Sequence, residues 1–367
     1  MIVDLSTFEK NSRFYPEGKF LITVKSFELQ EIRERYLKSR KSKSGRVGSV
    51  ERRQATQGGL VYVEIENGYI RQHEVLSFLT EPRGIDVTTD MLAVSTENVV
   101  HILGKEGVER IDNPWFSYIH TVQFNHRSDP DRILISSSGY DCIFEYELKK
   151  FAPTWEWFAW EHGFREGYNP RTGKNVYLTR KAKEASKLRA DGLDFLFIKD
   201  PEKQILPTAQ RAAFINSVTY DSRQAGMLLG TFFHEGAVYS IDMRSGVCEK
   251  VLDKMKSPHG GRNFQDQYMA TSTATGELVF SDGMKISFTG LPGKPSELYD
   301  LEWLQNTAPF QDYLVTIDAN RNSFVIIDME KRQYDMISFD PNWAIQDIAE
   351  VRDQDTETLV RSIKERL

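Results

Sequence analysis

The chain has 367 residues, 40% hydrophobic, 27% charged and 12% aromatic, which argues against a disordered protein. A formal net charge of −6 argues against a molecule built as a whole to hold polyanions. Cys142 and Cys248 form no CxxC pair, the start MIVDLSTFEK lacks a basic flank and apolar run, and no stretch approaches ~20 apolar residues. The expected setting is the cytoplasm, with no disulfide framework and no membrane contact.

Along the chain, short strand-like pieces recur in a fixed order. FLITVKS, LVYVEIE and YIRQHEVLSF read as three strands with none before them. From Arg83 the order is RGIDVTT, MLAVSTENVVHIL and GVERIDN. From Ile119 it is IHTVQFN, RILISSSGYDCIFEYEL and TWEWFAW; from Ile215, INSVTYD, MLLGTFFHEGAVYSIDM and CEKVLD. Further copies begin at Pro258 with PHGGRNF and at Tyr299 with YDLEWLQ. Each is about 40 residues, the length of a four-stranded propeller blade. Last comes IQDIAEV from Ile345, a first strand with nothing after it. Joined to the three N-terminal strands it completes a sixth unit and leaves no open sheet edge.

The expected fold is therefore all-β, a single six-bladed β-propeller over residues 1–367 whose first blade is closed by the C-terminal strand. A β-sandwich, which also has short strands and regular turns, is the alternative. Two basic loop or helical insertions are expected, at about 29–58 and 161–211, and a helical tail at about 355–367.

In a blade of alternating strands, the heads of the innermost strands share a face with the turns between second and third strands. Both insertions fall on that face. The first carries Arg33, Arg35, Arg40, Lys41 and Lys43 among other basic residues, and the second Arg180, Lys181, Lys183 and Lys187. Together they could form a positively charged rim that attracts a small anionic or polar molecule, or be ordinary solvated surface. Nucleic acid is the lesser alternative partner, since stacking aromatics are sparse in the basic runs.

The strand heads are read as Gly84, His120, Asn216, His259, Asp300 and Gln346. His120, Asn216, His259 and Asp300 could hold one divalent ion, zinc, manganese or iron more readily than calcium, given two imidazoles. His120, His259 and Asp300 could equally act as acid, base or nucleophile, and polar residues could line the channel merely to hold water. Tyr140, His234 and Arg321 in the turns, with His162, Asn216 and Gln346, are candidate substrate-binding residues. Trp155, Trp157 and Trp160 could stack a ligand, but their spacing reads more simply as strand packing.

The heads IHTVQF, INSVTYD and SPHGGRN, each followed by an apolar strand and turn, resemble the six-bladed propellers of the gluconolactonase, strictosidine synthase and virginiamycin B lyase-like group. That resemblance implies an axial metal held by Glu, Asn and Asp. Asn216 and Asp300 match in type; His120 and His259 differ. IHTVQFN, SSSGYDCIFEYEL and WEWFAWEHGF also resemble one blade of arylsulfotransferase-like propellers, which implies a group-carrying histidine at His120. The expected function is an enzyme (lyase, hydrolase or group transferase) acting on a small polar or anionic substrate at the channel mouth. The alternative is a non-catalytic scaffold binding a protein or nucleic acid through its basic face.

Overall fold

The computed structural model describes residues 1–41, 51, 54–169 and 171–367. Arg40 and Lys41 are described in backbone only, and Lys43 lies outside the described residues.

Nearly all strands belong to six sheets that each contain a four-stranded antiparallel meander. Sheet I is assembled from both ends of the chain: Ile345–Glu350 pairs antiparallel with Gly18–Val24, which is followed by Gln57–Glu66 and Tyr69–Thr80. The first strands of sheets II to VI are Ile85–Val87, Ile119–Asn125, Ile215–Tyr220, Pro258–Phe264 and Leu304–Phe310. Each first strand touches that of the next sheet, and Leu304–Phe310 touches Ile345–Glu350 of sheet I.

Strand alternation sends successive side chains to opposite faces, and here both faces are buried. In sheet III, Ile133 and Ile135 pack toward sheet II, whereas Leu134 packs toward sheet IV. Apolar layers of this kind lie between sheets I and II, IV and V, and V and VI. Another joins Ile22 and Val61 of sheet I to Val315 and Ile317 of sheet VI.

Two features lay beyond the sequence reading. The N-terminal segments Ile2–Asp4 and Glu9–Lys10 run parallel to the outer strands of sheets V and VI and extend each to five strands. Glu166–Asn169, Lys174–Thr179 and Phe195–Phe197 form a separate three-stranded sheet within the second insertion. The expected helical tail is present as α3 (Gln354–Arg361), whose Leu359 and Val360 pack with Ile363 against Leu21, Leu60 and Leu92.

The insertions are anchored to the sheets. Helix α1 (Leu29–Lys41) docks through Arg33, which is buried and donates to the Ala319 and Asn320 carbonyls and to Asn322 Oδ1. One of the cations expected on an open rim is thus consumed in packing. In the second insertion, α2 (Ala182–Ala190) lies beside the small sheet, and the following segment returns to the core. There Tyr140 Oη donates to the Pro201 carbonyl, and buried Asp141 accepts from the amides of Ala212, Ala213 and Ile215.

Candidate functional site

The heads of the inner strands share a local construction. Register shifts fall between Ile119 and Thr121, Ile215 and Ser217, His259 and Arg262, Leu304 and Thr307, and Ile345 and Asp347. A bulge of this kind re-aims a side chain without ending the strand. At three heads the residue before the strand is a non-glycine in left-handed conformation: Tyr118, Phe214 and Ser257, at φ 49°, 50° and 55°. Glu81, at φ 45°, plays that part in sheet II.

That recurrence aligns Arg83, not Gly84, with His120. Gly84 follows in the position of Thr121: the Gly84 amide donates to Ser95 Oγ as the Thr121 amide donates to Ser136 Oγ. Gly84 is glycine because a Cβ there would stand 2.6 Å from the Thr121 backbone, where neighbouring inner strands converge. Asp300 also leaves the set. It is exposed on the connection between sheets V and VI, after the turn Ser296–Leu298, and the head there is Gln305. The six heads are Arg83, His120, Asn216, His259, Gln305 and Gln346, all buried, and none is a carboxylate.

Contacts between neighbours tie these heads together. Arg83 Nη1 lies 3.1 Å from His120 Nε2, and Arg83 Nη2 pairs with Glu81 at 3.2 Å. Since a guanidinium only donates, Nε2 is the acceptor and the His120 proton sits on Nδ1, 3.0 Å from the Tyr118 carbonyl and 2.9 Å from Ser138 Oγ. Asn216 Nδ2 donates to the Pro258 carbonyl at 2.7 Å, while its buried Oδ1 has no hydrogen-bond partner among the described residues. Lys25, at the end of the second strand of sheet I, donates to Gln346 Oε1 at 3.2 Å, and Gln346 reaches Gln305 at 3.4 Å.

Both imidazoles are held neutral. Burial pushes His120 well below the usual histidine range, with Arg83 adding to the effect. His259 is pushed down to about 4 by burial, then by the charges of Lys25 and Arg83. Its Nδ1 lies 3.1 Å from the Ser257 carbonyl and 2.7 Å from Thr273 Oγ1, which places the proton there. Nε2 of His259 therefore carries a lone pair and makes no hydrogen bond to a described residue. Phe214 and Phe233 form an aromatic wall between the imidazoles: Phe214 is 5.4 Å from His120, Phe233 is 5.9 Å from His259, and the two rings are 4.7 Å apart. Arg211, fully buried, lies over the rings of Tyr118 and Phe214 at 4.5 and 4.8 Å.

Other expected site residues are placed elsewhere. Tyr140 is buried edge-on to Trp115. His162 stacks on Trp157 at 5.0 Å, on the outer strand of sheet III, and Trp160 stacks with Phe158 inside an apolar cluster. Arg321 is fully buried between sheets V and VI, paired with Asp318 at 2.8 Å and Glu302 at 2.9 Å, and donates to the Phe288 and Leu291 carbonyls. It is a structural clamp. His234 remains near the mouth, half-buried beside Phe214, with Nε2 2.9 Å from the Thr208 carbonyl. His120, Asn216, His259 and Asp300 are not brought into one ligand set, and among the described residues no group of three or more His, Cys, Asp or Glu could hold a metal ion.

No family model and no curated protein matches the sequence. Solved structures do match in fold. A nidogen/laminin complex aligns at TM-score 0.51 and 10% identity over 90% of this chain and 97% of its own. A protein of unknown function from Bacteroides caccae aligns at 0.51 and 11% over 92% and 100%. A catalytically inactive virginiamycin B lyase from Staphylococcus aureus with quinupristin aligns at 0.44 and 10% over 71% of each chain. The fold is that of a β-propeller. Among the described residues no helix is long and apolar enough to cross a membrane.

Proposed function

We propose that the six sheets are the blades of one ring, closed by the pairing of Ile345–Glu350 with Gly18–Val24, and that the ring is an enzyme acting on a small anionic substrate at the mouth framed by the strand heads. The layer joining sheets VI and I supports the closure. The activity rests on one observation: a neutral His259, with an open Nε2, stands in the field of two buried cations, Lys25 and Arg83, with no carboxylate among the heads.

In this reading Arg83 and Lys25 hold the anion. His120 is a positioning residue, because its Nε2 is taken by Arg83 and fixes the guanidinium. His259 is the catalytic residue. As a free base it is weak, but an anion beside it favours the imidazolium and offsets the two cations. The proton it accepts leaves an atom next to the anionic group, and Nε2–H then returns it to the leaving group or product. Elimination and hydrolysis both fit such a proton transfer. The open acceptor Oδ1 of Asn216 would take a substrate hydroxyl or amide hydrogen.

The test is calorimetric titration with phosphate, sulfate and small carboxylates, followed by a turnover screen on the anions that bind. Arg83→Gln should weaken binding by about tenfold or more, as for loss of one member of a buried charge-assisted pair. His259→Gln should retain binding and lose turnover. Equal binding by Arg83→Gln overturns the proposal. Stoichiometric zinc, manganese or iron lost in a His120→Ala, His259→Ala variant would replace it with a metal-assisted mechanism.

A further inference from the structure

A cavity of about 660 Å³ is lined by the same inner strands, beginning with the residues that directly follow the heads, such as Thr121, Ser217 and Asp347. Its volume lies within the range of roughly 300–1,000 Å³ usual for small-molecule sites. Its walls include Asp86, Thr121, Thr219, Arg262 and Asp347 of the inner strands, with Arg127 and Arg352 from the adjoining segments.

Arg262 is the unusual member. It follows Gly260, at φ 62°, and the register shift after His259, which carries the strand past Thr231 of sheet IV; a Cβ on Gly261 would meet Thr231 Oγ1 at 2.5 Å. Arg262 makes one hydrogen bond, a long one of 3.4 Å from Nε to the Gly260 carbonyl, and no ion pair with any described residue. The acids whose charges reach it are Asp347 and Asp86. Each accepts three hydrogen bonds from other donors, which leaves one acceptor site open on each carboxylate. Asp347 accepts from Asn306 Nδ2 and the Ile348 amide, each at 3.0 Å, and from the Ile85 amide at 3.4 Å. Asp86 accepts from the Phe124 amide at 2.7 Å, from His126 Nε2 at 2.8 Å and from the Val87 amide at 3.0 Å. Arg262 thus lines the cavity with terminal nitrogens that have no hydrogen-bond acceptor among the described residues.

Arg262 is half-buried, so its guanidinium is partly withdrawn from water without a protein acceptor, and its planar fork matches a carboxylate in geometry. The walls also carry Asp86, Asp347, Glu350 and Asp353, which repel a multiply charged anion and offer acceptors to hydroxyl or ammonium groups. We propose that this cavity binds a small carboxylate that also bears hydroxyl or ammonium groups, its carboxylate on the Arg262 fork and its donors toward Asp86 and Asp347. This site is independent of the anion site proposed at the heads.

The test titrates the full chain with D-glucuronate, L-glutamine, D-glucose and inorganic phosphate, using wild type, Arg262→Gln, Arg262→Lys and Arg83→Gln. Glucuronate or glutamine should bind wild type and Arg83→Gln alike, and the two arms tell a hydroxy acid from an amino acid. Binding should fall by about tenfold or more in Arg262→Gln, as for loss of one member of a charge-assisted pair. Arg262→Lys should fall between, and decides the matter if Arg262→Gln does not fold. The proposal is overturned if neither carboxylate binds wild type, if both Arg262 variants bind unchanged, if glucose binds as well as glucuronate, or if phosphate binds more tightly than both carboxylates.

Discussion

The two ends of the inner strands carry opposite arrangements of charge. At the heads, Arg83 is bound to Glu81 and His120, Lys25 to Gln346, and the imidazoles to carbonyls and hydroxyls. Further along the same strands, Arg262 stands apart from Asp86 and Asp347, whose oxygens serve backbone amides and neighbouring side chains. His259 and Arg262 belong to one strand, Pro258–Phe264, and Gln346 and Asp347 to another. A single inner strand can therefore furnish a fixed, preorganised surface at one end and an open recognition surface at the other.

The comparison breaks most severely if the last strand is removed, because Gln346 and Asp347 sit side by side on it. Deleting Ala344–Val351 should abolish cooperative thermal unfolding, since Gly18–Val24 would lose its partner and both apolar faces of sheet I would open. A sharp transition at an unchanged temperature would show that this pairing does not hold the fold together.

Next in size is the contrast between satisfied and unsatisfied arginines. Arg321 is fully buried with Asp318 and Glu302, so Arg321→Ala leaves buried Asp318 without its cation, while Glu302 keeps Lys294 at 2.6 Å. The expected loss is about 3–5 kcal/mol by urea denaturation. Arg262→Met removes a charge that no described group pairs with, and stability should stay within about 1 kcal/mol of wild type or exceed it. Equal losses in the two variants would mean that Arg262 is as fully engaged as Arg321.

Acid titration separates the ends by sign. The unfolded chain protonates His259 near the ordinary value of about 6.5, whereas the folded chain does so only near about 4. Between those values the unfolded state binds more protons, so His259 makes stability fall as pH falls, by at most about 1.4 kcal/mol per pH unit. Asp347 acts the other way. Burial raises it to about 6 against the opposing influence of Asn306 and Arg262, while unfolded Asp titrates near about 3.9. There the folded state binds the proton first, and stability gains as pH falls. His259→Gln should flatten the acid loss of stability between pH 6.5 and 4, and Asp347→Asn should steepen it between about 6 and 3.9. Denaturation midpoints measured across that range give both slopes, and parallel curves for the two variants would refute the assignment.

Most of the fold was legible in the sequence, because strand alternation and a recurring unit of about 40 residues survive poor sequence repetition. Four of the six heads, His120, Asn216, His259 and Gln346, were legible as polar residues ahead of apolar strands. Gly84 was off by one position because Glu81 enters left-handed and pushes Arg83 into the head. Asp300 was off by more because YDLEWLQ begins in a connection and becomes a strand only at Leu304. Lys25, Arg211 and Phe214 come from strand ends and connections, where no local pattern marks them. Arg321 read as a turn residue because its burial depends on sheet V, and Arg262 sat unnoticed in PHGGRNF because only the cavity gives it meaning.

The smallest effect concerns the basic second insertion. Lys181 already pairs with Glu161 at 3.0 Å, and Arg180 with Glu156 and Glu161 at 2.8 and 2.9 Å, so these cations are partly balanced. Lys183 and Lys187 on α2 are exposed. Exposed charges contribute about 1 kcal/mol or less to stability, so Lys183→Gln with Lys187→Gln should leave melting unchanged. Their field still acts over roughly 8–10 Å at ordinary salt, which changes encounter rates more than affinity. If the insertion steers an anion to the heads, the association rate should fall by about two- to threefold at low salt in the double variant, and converge with wild type as salt screens both. Stopped-flow association with the tightest-binding anion, at several salt concentrations, measures this. A short oligonucleotide serves as the contrasting probe. A larger loss for the oligonucleotide than for the small anion would favour the scaffold with a nucleic-acid partner, and identical rates for both proteins would make α2 ordinary solvated surface.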